Sequence, residues 1–117
     1  MKDINNEFGR HYLVELINCD SSKLMYLKDV KKVFLDAAKK SKANIIDSHF
    51  FQFDPVGVTG GIFIRESHLS VHTWPEDRYA AFDIFTCGEM DCEVAIEVVR
   101  LGFCAERIIK KVIRRGF

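Results

Sequence analysis

The sequence predicts an α+β fold, a two-layer sandwich in which two helices cover one face of a largely antiparallel sheet. Three observations carry this reading. The periodic segments follow the order strand, helix, several strands, helix, strand. Leu24, Leu27, Val30, Phe34 and Ala37 recur at helical spacing with Lys and Asp between them. The chain has 117 residues, 48% of them hydrophobic, including ten Phe, which suits one folded domain over residues 1–117 and not a disordered tail.

Taken in order, Arg10 to Asn18 is apolar-rich, with Tyr12, Val14 and Ile17, and reads as the first strand. Asp20-Ser21-Ser22 is a helix-start signal, so the first helix is expected from about Ser22 to Lys42. Its basic last turn, Lys39 to Lys42, suits the negative end of the helix dipole. Asn44 to Phe53 is β-branched and aromatic and reads as a strand, and Asp54-Pro55-Val56-Gly57 is a turn. Val58 to Glu66 and Ser67 to Trp74 are strand segments with little turn signal between them. Trp74-Pro75-Glu76-Asp77 reverses the chain into a strand from Tyr79 to Cys87, which Gly88 ends. Asp91 is placed to cap a second helix carrying Val94, Ala95, Val98 and Leu101. The tail, Cys104 to Arg115, suits an amphipathic helix by period and a strand by its β-branched content.

Net charge is zero, which argues against a general nucleic-acid binder; Lys110, Lys111, Arg114 and Arg115 read as a solvated edge. The polar start, Met1 to Glu7, has no apolar run of signal-peptide length, and no segment is long enough to span a bilayer. A cytoplasmic protein with free thiols is the expectation. Cys19, Cys87, Cys92 and Cys104 form no Cys-x-x-Cys pair and have no zinc-finger partner, so no metal site is expected. Cys19, Cys92 and Cys104 read as buried small hydrophobes.

The chemistry concentrates in Glu66-Ser67-His68-Leu69-Ser70-Val71-His72-Thr73-Trp74-Pro75-Glu76 and in Cys87. If Ser67 Oγ attacks the Glu66 carbonyl, the amide becomes an ester. Loss of the Ser67 α-proton then expels the acyl oxygen and leaves dehydroalanine, whose hydrolysis releases ammonia and leaves a pyruvoyl group. The reaction needs a positioned or strained peptide, an oxyanion donor and a base. Gly57, Gly60 and Gly61 permit close backbone approach, and Thr59 supplies a hydroxyl. His72 is the candidate base, its plain alternative being a satisfied strand histidine. Strand alternation puts Ser67 with Leu69, Val71 and Thr73, and His72 with His68, Ser70 and Trp74, so a bend or bulge near Ser67 is required. A pyruvoyl ketone can form a Schiff base with a substrate amine and take up the electrons released with carbon dioxide. Cys87 is a thiol able to return the proton, against the alternative of a structural thiol.

From Gly9-Arg10-His11 to Arg115-Gly116 the chain resembles prokaryotic S-adenosylmethionine decarboxylase proenzymes. The specific parts are Pro55-Val56-Gly57-Val58-Thr59-Gly60, the Glu66–Glu76 stretch, and Tyr79-Ala80-Ala81 through Phe85-Thr86-Cys87-Gly88. The resemblance implies a strand for the tail. It implies cleavage between Glu66 and Ser67 into a β chain, 1–66, and an α chain, 67–117, that begins with the pyruvoyl cofactor derived from Ser67. It gives His72 the role of proton acceptor in processing and Cys87 that of proton donor in decarboxylation, on the route to spermidine. Phe53 would stack on the adenine, with core packing as its alternative, and Glu76 would bind the ribose hydroxyls, with a solvated turn as its alternative. The family commonly has serine where Thr59 stands. A homodimer of cleaved protomers is implied; putrescine activation is not carried over. Related archaeal proteins of this fold decarboxylate arginine, so that substrate, and a non-catalytic uncleaved paralogue, are the alternatives.

Overall fold

The computed structural model describes residues 7–117. Six strands, β1 (Glu7–Ile17), β2 (Ile45–Gln52), β3 (Val58–Ile64), β4 (Ser67–Trp74), β5 (Tyr79–Thr86) and β6 (Arg107–Gly116), form one sheet in the order β2-β3-β4-β5-β1-β6. Every neighbouring pair is antiparallel. Two helices, α1 (Leu27–Lys40) and α2 (Cys92–Gly102), cover one face. The expected α+β sandwich is what forms, and the tail is a strand, paired along β1.

Registration of the strands sets the two faces. Ile62, Leu69, Ile84 and Tyr12 fall in one cross-strand row, and Val58, Thr73, Ala80 and Leu16 in another. These rows face the helices, and all but Tyr12 among them are buried. The alternate rows, His49-Gly61-Ser70-Asp83-Leu13-Lys111 and Phe51-Thr59-His72-Ala81-Glu15-Ile109, lie on the face without helices. There Leu13, Phe51, Phe63, Trp74, Ile109 and Ile113 are exposed.

The core is organised around Phe34 of α1. Its ring meets Phe82 of β5 edge-on at 5.4 Å and Phe103, just past α2, at 6.0 Å. One side chain thus joins the first helix, the sheet and the end of the second helix. Phe34→Ala is expected to cost about 3–5 kcal/mol of unfolding free energy, read as a lower urea midpoint; a loss below about 1 kcal/mol would show that the aromatic cluster is not central.

The first helix starts later than expected. Asp20 does act as a cap: its carboxylate accepts from Ser22 N at 3.0 Å and from the Ser22 hydroxyl at 2.7 Å. It nucleates only a 3-10 turn, Ser21–Lys23. Met25 O then accepts from Gly57 N (2.9 Å) and from Gln52 Nε2 (2.9 Å), while Gln52 Oε1 accepts from Leu27 N at 2.6 Å. Backbone groups that a continuous helix would pair internally are taken by the β2–β3 hairpin, so α1 begins at Leu27. Leu24 is a buried residue beside the 3-10 turn that falls on helical spacing.

The second helix begins as expected, with Asp91 Oδ1 accepting from Val94 N at 3.1 Å. Its buried stripe differs: Cys92, Ala95, Ile96 and Val99 point inward, while Val94 and Leu101 are exposed. Cys104 also departs from expectation. It is exposed, in a left-handed turn (φ +54°) after α2.

Candidate active site

β3 and β4 are joined by two residues, Arg65 and Glu66, because Ile64 pairs with Ser67. Ser67 therefore opens β4 directly after a tight turn. It does so at φ +147°, a conformation that L residues other than glycine rarely adopt. The pairing of β4 shows no bulge, so the departure from regular strand geometry is confined to the φ of Ser67. The carbonyl ahead of it is also fixed, since Cys87 N donates to Glu66 O at 2.8 Å. A hydroxyl, a strained residue and an amide-held carbonyl thus meet at the Glu66–Ser67 bond.

Cys87 follows the end of β5 because Thr86 pairs with Ser67. It is half-buried and, with Phe8, Arg10, Thr86, Gly88 and Met90, lines a cleft of about 340 Å³. Cys87 links this cleft to the Glu66–Ser67 bond through its amide, and a small carbonyl group derived from Ser67 would suit the strained position beside it. Cys19 and Cys92, by contrast, are buried, and burial pushes both thiols up to about 11. Neither is a ready proton donor.

The other candidate residues gather at the opposite end of β4. Thr59 pairs with His72 across β3 and β4, and Thr59 Oγ1 shares a 3.0 Å hydrogen bond with His72 Nδ1. Both line a second cleft, of about 240 Å³, together with Phe53, Val56, Trp74 and Glu76. Phe53 is 47% exposed, so core packing does not account for it. Its ring stands edge-on to Phe51 at 5.0 Å. Glu76 is exposed in the 3-10 turn Pro75–Asp77, whose Pro75 is buried.

β4 pairs without interruption from Ser67 to Trp74. Five residue steps along the strand separate Ser67 from His72, about 17 Å at ~3.3 Å per residue. Within one chain the φ of Ser67 does not fold His72 back onto Ser67. The candidate residues form two half-sites, Glu66-Ser67-Cys87 at one end of β4 and Phe53-Thr59-His72-Glu76 at the other.

Between them, on the helix-free face, Asp83 of β5 accepts from His11 Nε2 at 2.5 Å, lies 3.4 Å from His68 Nε2, and accepts from the Ser70 hydroxyl. Burial pushes this carboxylate up, but the Ser70 and His11 hydrogen bonds and nearby His68 outweigh it and hold the carboxyl below its ordinary value. Its contribution to stability is therefore present at neutral pH and lost as pH falls through that lowered value. The three ligand-type atoms of His11, His68 and Asp83 lie within 4.8 Å of one another. They could hold a metal ion; their hydrogen bonds already tie β1, β4 and β5 together.

The glycines expected near the Glu66–Ser67 bond serve other ends. Gly57 (φ +111°) makes the turn before β3, and a Cβ on Gly60 would overlap the Phe50 ring. The glycine against Glu66 is Gly88, where a Cβ would stand 3.2 Å from Glu66 Cβ and overlap its Cγ. Asn44 is the other residue the sequence does not single out: its N and Nδ2 donate to the Glu66 carboxylate at 3.1 and 2.6 Å. It reads as the start of a strand, and a polar residue after a helix carries no signal of a contact 22 positions away.

The family model described as S-adenosylmethionine decarboxylase matches residues 10–116. A Pyrococcus horikoshii protein named S-adenosylmethionine decarboxylase proenzyme is 42% identical over 109 residues, covering 92% of this chain and 78% of its own. One of the same name from Thermodesulfovibrio yellowstonii is 52% identical over 96 residues, covering 81% and 71%. The crystal structure of the adenosylmethionine decarboxylase from Aquifex aeolicus superposes with a TM-score of 0.88 at 34% identity, covering 96% of this chain and 93% of that one.

Proposed function

This chain belongs to the S-adenosylmethionine decarboxylase family, and we propose that it activates itself by breaking the Glu66–Ser67 bond and works as a dimer whose sites are shared. The observation that carries the reading is the scissile peptide: Glu66 O on the Cys87 amide at 2.8 Å, followed by Ser67 at φ +147°. Attack by Ser67 Oγ on the Glu66 carbonyl gives an ester. The Cys87 N–H stabilises the oxyanion on the way. Removal of the Ser67 α-proton expels the Glu66 carboxylate, and hydrolysis of the remaining dehydroalanine yields ammonia and the pyruvoyl group. That group supplies an electron sink when carbon dioxide leaves the substrate. The Cys87 thiol stands beside it as the donor that returns a proton to the substrate carbon.

The base must come from elsewhere, since His72 of the same chain is about 17 Å away along β4. A two-fold axis near the middle of β4 resolves this. It sets the Thr59–His72 end of one copy against the Ser67–Cys87 end of the other. The helix-free face carries the apolar residues Leu13, Phe63, Trp74, Ile109 and Ile113 that such a contact would cover. In the shared site Thr59 orients the His72 ring through their 3.0 Å hydrogen bond. Phe53 and Trp74 offer aromatic faces to a purine and a sulfonium cation, and Glu76 offers a carboxylate to ribose hydroxyls. Arginine has no use for the aromatic pair as a purine platform, which favours S-adenosylmethionine. The decarboxylated product would serve as an aminopropyl donor in spermidine synthesis.

The test is the mass of the purified protein combined with parallel assays. Two fragments split ahead of Ser67 are expected, the second blocked at its N-terminus. Carbon dioxide release is expected from S-adenosylmethionine and not from arginine. An intact chain after long incubation would remove the processing reading, and release from arginine alone would reassign the substrate.

No helix among the described residues is long and apolar enough to cross a membrane.

A further inference from the structure

The turn that precedes the scissile bond is held by a residue outside both half-sites. Glu66 is fixed at three points. Its carbonyl accepts from Cys87 N at 2.8 Å. Its carboxylate accepts from Asn44 N at 3.1 Å and from Asn44 Nδ2 at 2.6 Å, one bond to each oxygen. Its stem lies on Gly88, where no side chain fits. Asn44 also grips the other turn residue, its carbonyl accepting from Arg65 N at 2.9 Å.

Asn44 is itself anchored. The end of α1 is closed by Ala43 N donating to Ala38 O at 2.9 Å and by Lys42 in the left-handed region at φ +66°. The residue after this closure has little freedom, so the grip on Arg65 and Glu66 is referred to the helical layer. A two-residue turn on its own would relax a strained neighbour. Positive φ at a serine persists only where the surroundings over-determine it, and intramolecular attack needs the hydroxyl and carbonyl held in one geometry.

We propose that Asn44 is a positioning residue for chain cleavage, clamping the Glu66 side chain so that the Glu66 carbonyl stays on the Cys87 amide in front of the Ser67 hydroxyl. The proposal rests on the reading that this bond is the one broken. Asn44 touches neither the hydroxyl nor the carbonyl and acts through the turn it grips. Because Asn44 is exposed and outside the core, its replacement should slow cleavage without unfolding the protein.

The experiment follows cleavage over time in freshly translated wild-type and variant chains by fragment mass, with urea unfolding measured on each purified product. Asn44→Asp keeps the shape, removes the side-chain donor and sets two carboxylates face to face. It is expected to cleave about tenfold more slowly, the scale of one lost hydrogen bond to a charged group, with an unchanged urea midpoint. The exchanged pair, Asn44→Asp with Glu66→Gln, restores an amide–carboxylate contact with the partners reversed and is expected to recover most of the rate. Cleavage of Asn44→Asp at the wild-type rate would overturn the proposal. So would a slow double variant when Glu66→Gln alone cleaves normally, or slowing that tracks a lowered urea midpoint. A wild-type chain that stays whole would remove the cleavage reading itself.

Discussion

Mixing two chains that are each unable to cut themselves is expected to restore cutting in one of them. Ser67→Ala removes the attacking hydroxyl but keeps Thr59 and His72. His72→Ala removes the base but keeps Ser67 and Cys87. In a shared-site dimer the heterodimer contains one complete site: Ser67 and Cys87 from the His72→Ala chain, Thr59 and His72 from the other. Its second site lacks both groups. Only the His72→Ala chain should therefore be cut, and only in the mixture. Loss of a general base slows a step by about 10²–10⁴-fold, so the His72→Ala homodimer should be almost uncut on the wild-type timescale. Random pairing of equal amounts puts half the dimers in the mixed form with one working site each, about one quarter of wild-type activity.

The measurement uses differently tagged chains co-expressed and purified through both tags, then weighed as fragments. Cutting of His72→Ala alone at the wild-type rate would eliminate His72 as the base. An isolated heterodimer that stays uncut, while wild type processes fully, would eliminate the shared site. The geometry makes this test sharp: uninterrupted pairing of β4 from Ser67 to Trp74 leaves no way for one chain to bring both groups together without unzipping its central strands.

That separation is half visible in the sequence. Alternation along Ser67 to Trp74 already puts Ser67 and His72 on opposite faces. A local bend is the natural remedy. What exists is a positive φ at Ser67 within an unbroken ladder, and a single inverted residue changes the direction of a peptide and cannot shorten a five-residue span. The α+β layering is legible because period 2 and period 3.6 are properties of local sequence. The start of α1 is not, because the groups that end the helical run belong to Gln52 and Gly57, more than twenty positions on. The cap at Asp20 is real and still points to a wrong boundary, since a cap specifies a first turn and not how far the helix runs beyond it. Phe53 and Glu76 are ambiguous in the sequence for the same reason. Only the hairpin and the Pro75 turn bring them beside Thr59 and His72 in one cleft.

Replacing Cys87 with alanine is expected to separate the proposed self-cleavage from decarboxylation. Cys87 contributes two groups. Its backbone N–H holds the Glu66 carbonyl at 2.8 Å, and its thiol stands in the neighbouring cleft. Alanine keeps the first and deletes the second. Cleavage should continue within a few-fold of wild type, because the proposed oxyanion donor is a main-chain amide that the substitution does not touch. Decarboxylation should fall by about 10²-fold or more, the usual cost of losing a positioned general acid. With no thiol to direct the proton to the substrate carbon, a share of turnovers should protonate the wrong position. The cofactor is then lost as an amine, and the second fragment acquires a sequenceable N-terminal alanine in place of its blocked end. Cys87→Ser sharpens the point. Its hydroxyl matches the thiol in shape but is a far weaker acid, so cleavage should survive and turnover should stay low. Full turnover in Cys87→Ala would remove the thiol from the mechanism. Equal loss of cleavage and turnover would mean that the side chain, and not the amide, organises the scissile peptide.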